Sequence, residues 1–155
     1  MMKPLPFETL HDAEGSVTLG WAGDSVLYAF AAGGLSAGLG ARLANQVQTL
    51  VGGFSGVHYF CNALNVTRYD LLARSAFVRM ALANRRRFAS FTLLTWPAAV
   101  SPATHAFSDA LGDNVTLLRD TSDFERRLLD LAPFARHRIE PVNAERFESA
   151  ERPLR

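Results

Sequence analysis

The chain has 155 residues and a mass of 17.0 kDa; 48% of its residues are hydrophobic, 20% are charged, and the formal net charge is +1. That length suits one domain with a single core, and the apolar share excludes a disordered chain. The near-neutral charge gives no electrostatic case for nucleic acid, and a single cysteine, Cys61, excludes an intrachain disulfide and a cysteine-rich zinc site.

The four histidines, 11, 58, 105 and 137, never fall at i,i+3 or i,i+4 spacing, so the sequence predicts no metal site and no cofactor. Residues 1–24 carry one Lys, two Pro and four acids without an apolar run, which does not read as a secretory signal. The most apolar stretch, 25–43, is interrupted by Gly33, Gly34, Ser36, Gly38 and Gly40 and does not read as a membrane span. A cytoplasmic, reducing setting is expected. All basic residues but Lys3 are arginine, which reads as the coding bias of a GC-rich, bacterial genome.

Residues 1–14, with two prolines and no periodicity, read as a leader or a loose strand. Val17, Leu19 and Trp21 then alternate with Ser16, Thr18 and Gly20, the period of a half-buried strand. Gly23-Asp24 is a turn, and Val26 to Ala32 is a second strand, so the domain opens with an antiparallel hairpin. Gly33-Gly34 is expected to break that strand. Ser36 is a candidate N-cap for a helix to about Val51, with Leu39, Leu43, Val47 and Leu50 on one stripe.

A strand follows at Val57 to Ala63. A second helix is predicted from about Arg68 to Asn84, with Thr67 and Asp70 as its capping pair and Arg85, Arg86 and Arg87 at its negative end. Phe88 to Thr95 is the next strand. Ser101-Pro102 marks a third helix start, ending near Leu111. A short strand at Val115 to Leu118 precedes a last helix that begins near Ser122, with Glu125 completing a capping box, and stops before Pro133. Residues 133–155 read as a charged extension with one short helix near 144–150. The predicted fold is α/β, with residues 15–132 as one domain: a small mixed, mostly parallel sheet of about five strands, an N-terminal hairpin and four helices.

Chemistry is sparse along this frame. The spacing of Gly33, Gly34, Gly38 and Gly40 fits neither a dinucleotide fingerprint nor a P-loop, and close packing of the helix against the sheet explains it better. Cys61 and His58 lie three apart on one strand and face opposite sides. Asp109 with Asp113, and Asp120 with Asp123, read as helix-end electrostatics, and His105 lacks a partner set. No catalytic residue is assigned, and the chain is not expected to be an enzyme. The arginines at 85–87, with Arg79 before them, could contact phosphate or an acidic partner; a solvated helix end accounts for them as well.

The segment from Asn62 to Asp70 stands out. It joins a central strand to a predicted helix start and is rich in Asn, Thr and Arg, and sites in open parallel sheets form at carboxyl ends of strands. A phosphate on Thr67 would sit at the positive end of the helix; the plainer reading is that Thr67 caps the helix and Asn62 satisfies loop amides.

The order of elements over about Gly15 to Ala132, and the stretch YFCNALNVTRYDLLARSAFVRMALANRRRFASFTLLT within it, resembles the STAS domain family of anti-sigma-factor antagonists and sulfate-transporter domains. It is similar too to the looser branch that joins STAS-like with SEC14-like, lipid-transfer folds. Family antagonists carry an Asp-Ser-x-Gly type motif in this loop, phosphorylated on its Ser or Thr. Here Asn62 stands near the Asp position, Thr67 is the nearby hydroxyl, and neither an Asp-Ser pair nor the glycine is present. The resemblance implies a non-enzymatic adaptor whose partner is another protein, docking through Asn62, Asn65, Thr67, Arg68, Tyr69 and Arg74, bordered by Trp96 and Ser101, with Thr67 as candidate phospho-acceptor. A homo-oligomer is compatible with this reading. The alternative, from the SEC14-like side, is a module for a small apolar or anionic, lipid-like ligand in a pocket lined by Trp21, Tyr28, Phe30, Tyr59 and Phe60.

Overall fold

A computed structural model of the chain describes residues 7–95, 109 and 111–139. Six strands form one sheet: β1 (Glu8–His11), β2 (Gly15–Trp21), β3 (Val26–Leu35), β4 (Val57–Tyr69), β5 (Phe88–Leu94) and β6 (Val115–Leu118). They lie side by side in chain order. β1, β2 and β3 pair antiparallel, and β3 to β6 pair parallel. The mixed, mostly parallel sheet with its amino-terminal hairpin is the predicted architecture, with one strand more. That strand is β1: residues 8–11 hydrogen-bond along β2, so the leader contributes the sheet edge.

Helices α1 (Ala37–Val51) and α2 (Leu71–Ala83) cover one face, and α3 (Thr121–Leu131) covers the other. The alternation in the hairpin decides which residue meets which layer. Val17, Leu19, Leu27, Ala29 and Ala31 join Leu39, Leu43, Val47 and Val51 of α1 and Phe77 and Met80 of α2. On the opposite face, Val26, Tyr28, Phe30 and Phe60 pack against Phe124 and Leu128 of α3. Ala135 and Ile139 are also buried in this second core, so the folded layer continues past residue 132 into the predicted extension. The predicted third helix and the 144–150 helix lie outside the described residues, apart from the last turn near Leu111.

Helix starts follow from local chemistry. Ser36 caps α1 by accepting from the Leu39 amide at 3.0 Å, as predicted. Asp120, rather than Ser122, caps α3 and accepts from the Ser122 amide at 2.9 Å. α1 and α2 meet tightly: a Cβ on Gly40 would lie 2.3 Å from that of Ala73. Gly40 therefore serves helix–helix approach, not the helix–sheet contact predicted for it.

Two boundaries differ from the sequence reading and share one cause. β3 does not stop at Gly33-Gly34. It crosses them on a bulge, with Gly33 at φ +78°, a conformation glycine adopts without strain, and continues to Leu35. That extension supplies a parallel partner for residues 65–69, where Val66, Thr67 and Tyr69 favour a strand. β4 thus runs on to Tyr69, and the Asp70 amide donates to the Leu35 carbonyl at 2.9 Å.

Candidate functional site

The segment predicted as a loop is the carboxyl half of β4. Its amino half, Val57–Asn62, pairs with β3 on one side and β5 on the other. Beyond Asn62 the pairing with β5 ends, and residues 65–69 pair with β3 alone among the described residues. α2 starts at Leu71 and is capped by Asp70, whose carboxylate accepts from the Leu72 amide at 2.8 Å. Thr67 is exposed on the strand, three residues before that cap, so it neither caps the helix nor sits at its positive end.

Among the described residues, the predicted docking set does not form one surface. Asn62 is buried, and its side-chain oxygen accepts from the Leu64 amide at 3.2 Å; it serves the backbone, as its plainer reading had it. Asn65 is half-buried opposite Ala32. Arg68 is exposed and ion-pairs with Glu14 at the β1–β2 turn. Tyr69 and Arg74 meet: the guanidinium lies 5.3 Å from the ring centre and donates to the Tyr69 carbonyl at 3.3 Å. Trp96 and Ser101 lie outside the described residues.

Tyr69 is two-sided. Some 40% of its surface is open to solvent, while burial of its phenol end, with Cys61 beside it, pushes its pKa up and Arg74 offsets part of that. Under it, burial raises the Cys61 thiol to about 11, partly offset by a hydrogen bond with Tyr59. A thiol so placed stays protonated near neutral pH and is a poor nucleophile. Tyr59 is fully buried, and its hydroxyl is raised well above its ordinary value, first by that burial. His58 faces the other way, 2.7 Å from the Ser90 hydroxyl, and burial lowers its pKa. No Cys–His pair forms.

Sequence reading missed Leu71 and Leu72. They are 66% and 63% exposed, following directly on Tyr69. The signal was present: counted back at helical spacing from Met80 and Phe77, the apolar stripe passes through Ala73 and leaves positions 71 and 72 off it. The buried stripe of α2 is instead Ala73, Phe77, Met80 and Ala81.

Asp12 braces the base of this region. Its carboxylate accepts from the Ser36 hydroxyl and from the amides of Glu14 and Gly15, and these bonds, Ser36 first, hold its pKa below the usual carboxylate value. Among the described residues no group of three His, Cys, Asp or Glu gathers as for a metal, and no helix is long and apolar enough to cross a membrane.

The aromatics assigned to a ligand pocket separate. Trp21 and Tyr59 belong to the α1/α2 core; Tyr28, Phe30 and Phe60 belong to the α3 core. The sheet lies between the two sets, so the five line no common pocket.

No family model matches the chain, and no curated protein matches it in sequence. Solved structures do match in shape. An uncharacterized protein of the DUF3478 family from Shewanella loihica PV-4, described as having a SpoIIAA-like fold, superposes with a TM-score of 0.54 at 12% identity, over 83% of this chain and 98% of that one. The fold is SpoIIAA-like. An anti-sigma factor antagonist from Mycobacterium paratuberculosis gives a TM-score of 0.52 at 11% identity, over 78% of this chain and 92% of that one. A STAS-like fold, implied by the order of elements, is therefore what the chain adopts, and at such identities the likeness extends to the fold alone.

Proposed function

We propose that this STAS-like domain is a non-enzymatic regulatory or adaptor module that binds another protein through the end of β4 and the first turn of α2. One observation carries the reading: Tyr69, Leu71 and Leu72, close in sequence where a strand passes into a helix, are each exposed to solvent. Solvent-facing leucines at this spacing contribute little to the core, and clustered exposed apolar side chains mark interaction sites. Arg68, paired with Glu14, and Arg74, stacked on Tyr69, lie beside them. The anti-sigma factor antagonist of the same fold supports a protein partner by analogy of fold. Thr67, exposed on the same strand end, is the hydroxyl whose phosphorylation would add negative charge beside this surface.

The test is affinity capture from the native lysate with wild type and a Leu71→Asp, Leu72→Asp double variant, read by mass spectrometry. A protein held by wild type and lost by the variant, at unchanged circular dichroism, is the expected result. Identical retention by both sinks this docking surface. Thr67→Glu in the same assay reports whether charge at that position controls retention.

A further inference from the structure

At the other end of α2, the turn after α1 and the end of α2 border an open cleft of about 590 Å³. Phe54 and Ser55, from the turn after α1, form one wall; Leu82, Asn84 and the arginines 85, 86 and 87 form the other. The two walls are tied together by Arg87, whose guanidinium donates to the Phe54 carbonyl at 3.2 Å. Arg85 and Arg86 are exposed and ion-pair with no carboxylate among the described residues.

The carboxyl end of α2 accounts for part of this charge, because a helix end carries about half a negative charge. Three guanidinium groups exceed that, so the cleft stays positive. Its lining is otherwise mixed: Phe54 and Leu82 are apolar, and Ser55 and Asn84 carry hydrogen-bonding side chains. The volume lies within the range of about 300–1,000 Å³ usual for small-molecule sites. Planar guanidinium forks suit the geometry of phosphate oxygens.

We infer that this cleft is a binding site for a small phosphate monoester carrying an apolar ring, with Arg85 and Arg86 holding the phosphate and Phe54 and Leu82 the ring. The site lies at the far end of α2 from the protein-docking surface and stands or falls separately from it.

Calorimetric titration at low salt, with phenyl phosphate, inorganic phosphate and phenol as probes, tests it. Wild type is expected to bind phenyl phosphate with a Kd below about 1 mM, and at least about tenfold more tightly than either fragment. An Arg85→Glu, Arg86→Glu variant should lose at least about tenfold in affinity at unchanged circular dichroism. Should that variant fail to fold, Ser55→Glu, in the exposed turn of the opposite wall, must give the same loss. The Leu71→Asp, Leu72→Asp variant should bind as wild type does. Absence of saturable binding overturns the proposal. So does equal affinity for inorganic and phenyl phosphate, which would mean that anions merely gather around a basic turn, and so does full retention of binding by the folded charge-reversed variants.

Discussion

β4 is one strand with two different halves. From Val57 to Asn62 it is held by β3 and β5, buried on both faces, and flanked by aromatic contacts: Tyr59 with Phe77 at 5.3 Å on one side, Phe60 with Phe124 at 5.5 Å on the other. From Asn65 to Tyr69 it keeps only β3 among the described residues, and its side chains from Thr67 onward are exposed. The first half spends its side chains on stability. Apart from Val66 and the phenol end of Tyr69, the second gains little from burial, which leaves its other residue choices open to recognition.

The widest difference should appear on truncation. Phe60→Ala removes a ring that is 1% exposed and should cost about 3–5 kcal/mol, as large-to-small core changes do. Thr67→Ala, on the exposed half, should stay within about 0.5 kcal/mol of wild type. Urea unfolding followed by circular dichroism measures both. Similar losses at the two positions would erase the distinction between the halves.

The exposed half is nonetheless braced from behind, where Gly40 of α1 meets Ala73 of α2. Gly40→Ala would put a methyl carbon 2.3 Å from the Ala73 Cβ, and the helices must part to admit it. The expected cost is about 1–3 kcal/mol, typical of overpacking, read in the same unfolding assay. A Gly40→Ala, Ala73→Gly pair should recover little of that loss, because the Ala73 Cα would still lie 2.4 Å from the new carbon; full recovery would place the strain in the Ala73 methyl alone.

A smaller effect separates the halves by pH. His58 lies in the first half, and burial lowers its pKa from 6.5. The folded state therefore disfavours the protonated ring, while the unfolded chain takes up its proton near pH 6.5. The stability tied to His58 is fully present above that pH and is lost as pH falls through the folded pKa. His58→Gln should flatten the part of the stability–pH curve just below 6.5 relative to wild type. Curves that run parallel through that window would remove His58 from the account. Asp12, at the base of the second half, acts lower on the scale: its pKa is held below 3.8, so its contribution is present above 3.8 and lost only in stronger acid.

How much of this was legible in the sequence follows the same division. The hairpin, α1 with its Ser36 cap and the first half of β4 carry clear periodicity, and each lies where the pattern places it. The second half of β4 reads in sequence as a loop and helix start because its partner is not local. Residues 65–69 are a strand only because β3 crosses Gly33-Gly34 on a bulge and reaches Leu35. A glycine pair reads as a stop when one strand is taken alone; the neighbouring strand turns it into a bend. Thr67 and Asp70 both fit a cap in sequence, and the structure uses the later one, three positions on, which leaves Thr67 off the helix end. β1 reads in sequence only as a leader or a loose strand, because four residues are too few to show a period.

Leu71 and Leu72 give the sharpest form of the comparison, because two effects should separate there. In a core, replacing two leucines by aspartate would unfold a domain of this size. Here both are nearly two-thirds exposed, and aspartate in a first helical turn suits the positive end of the helix dipole. The double variant should therefore unfold within about 0.5 kcal/mol of wild type while losing its protein partner. If stability falls by several kcal/mol instead, these leucines belong to the packing of the domain, and the second half of β4 is as structural as the first. If stability holds and a partner is lost, the exposed apolar turn is used for recognition, which is the reason a folded protein would keep two leucines in water.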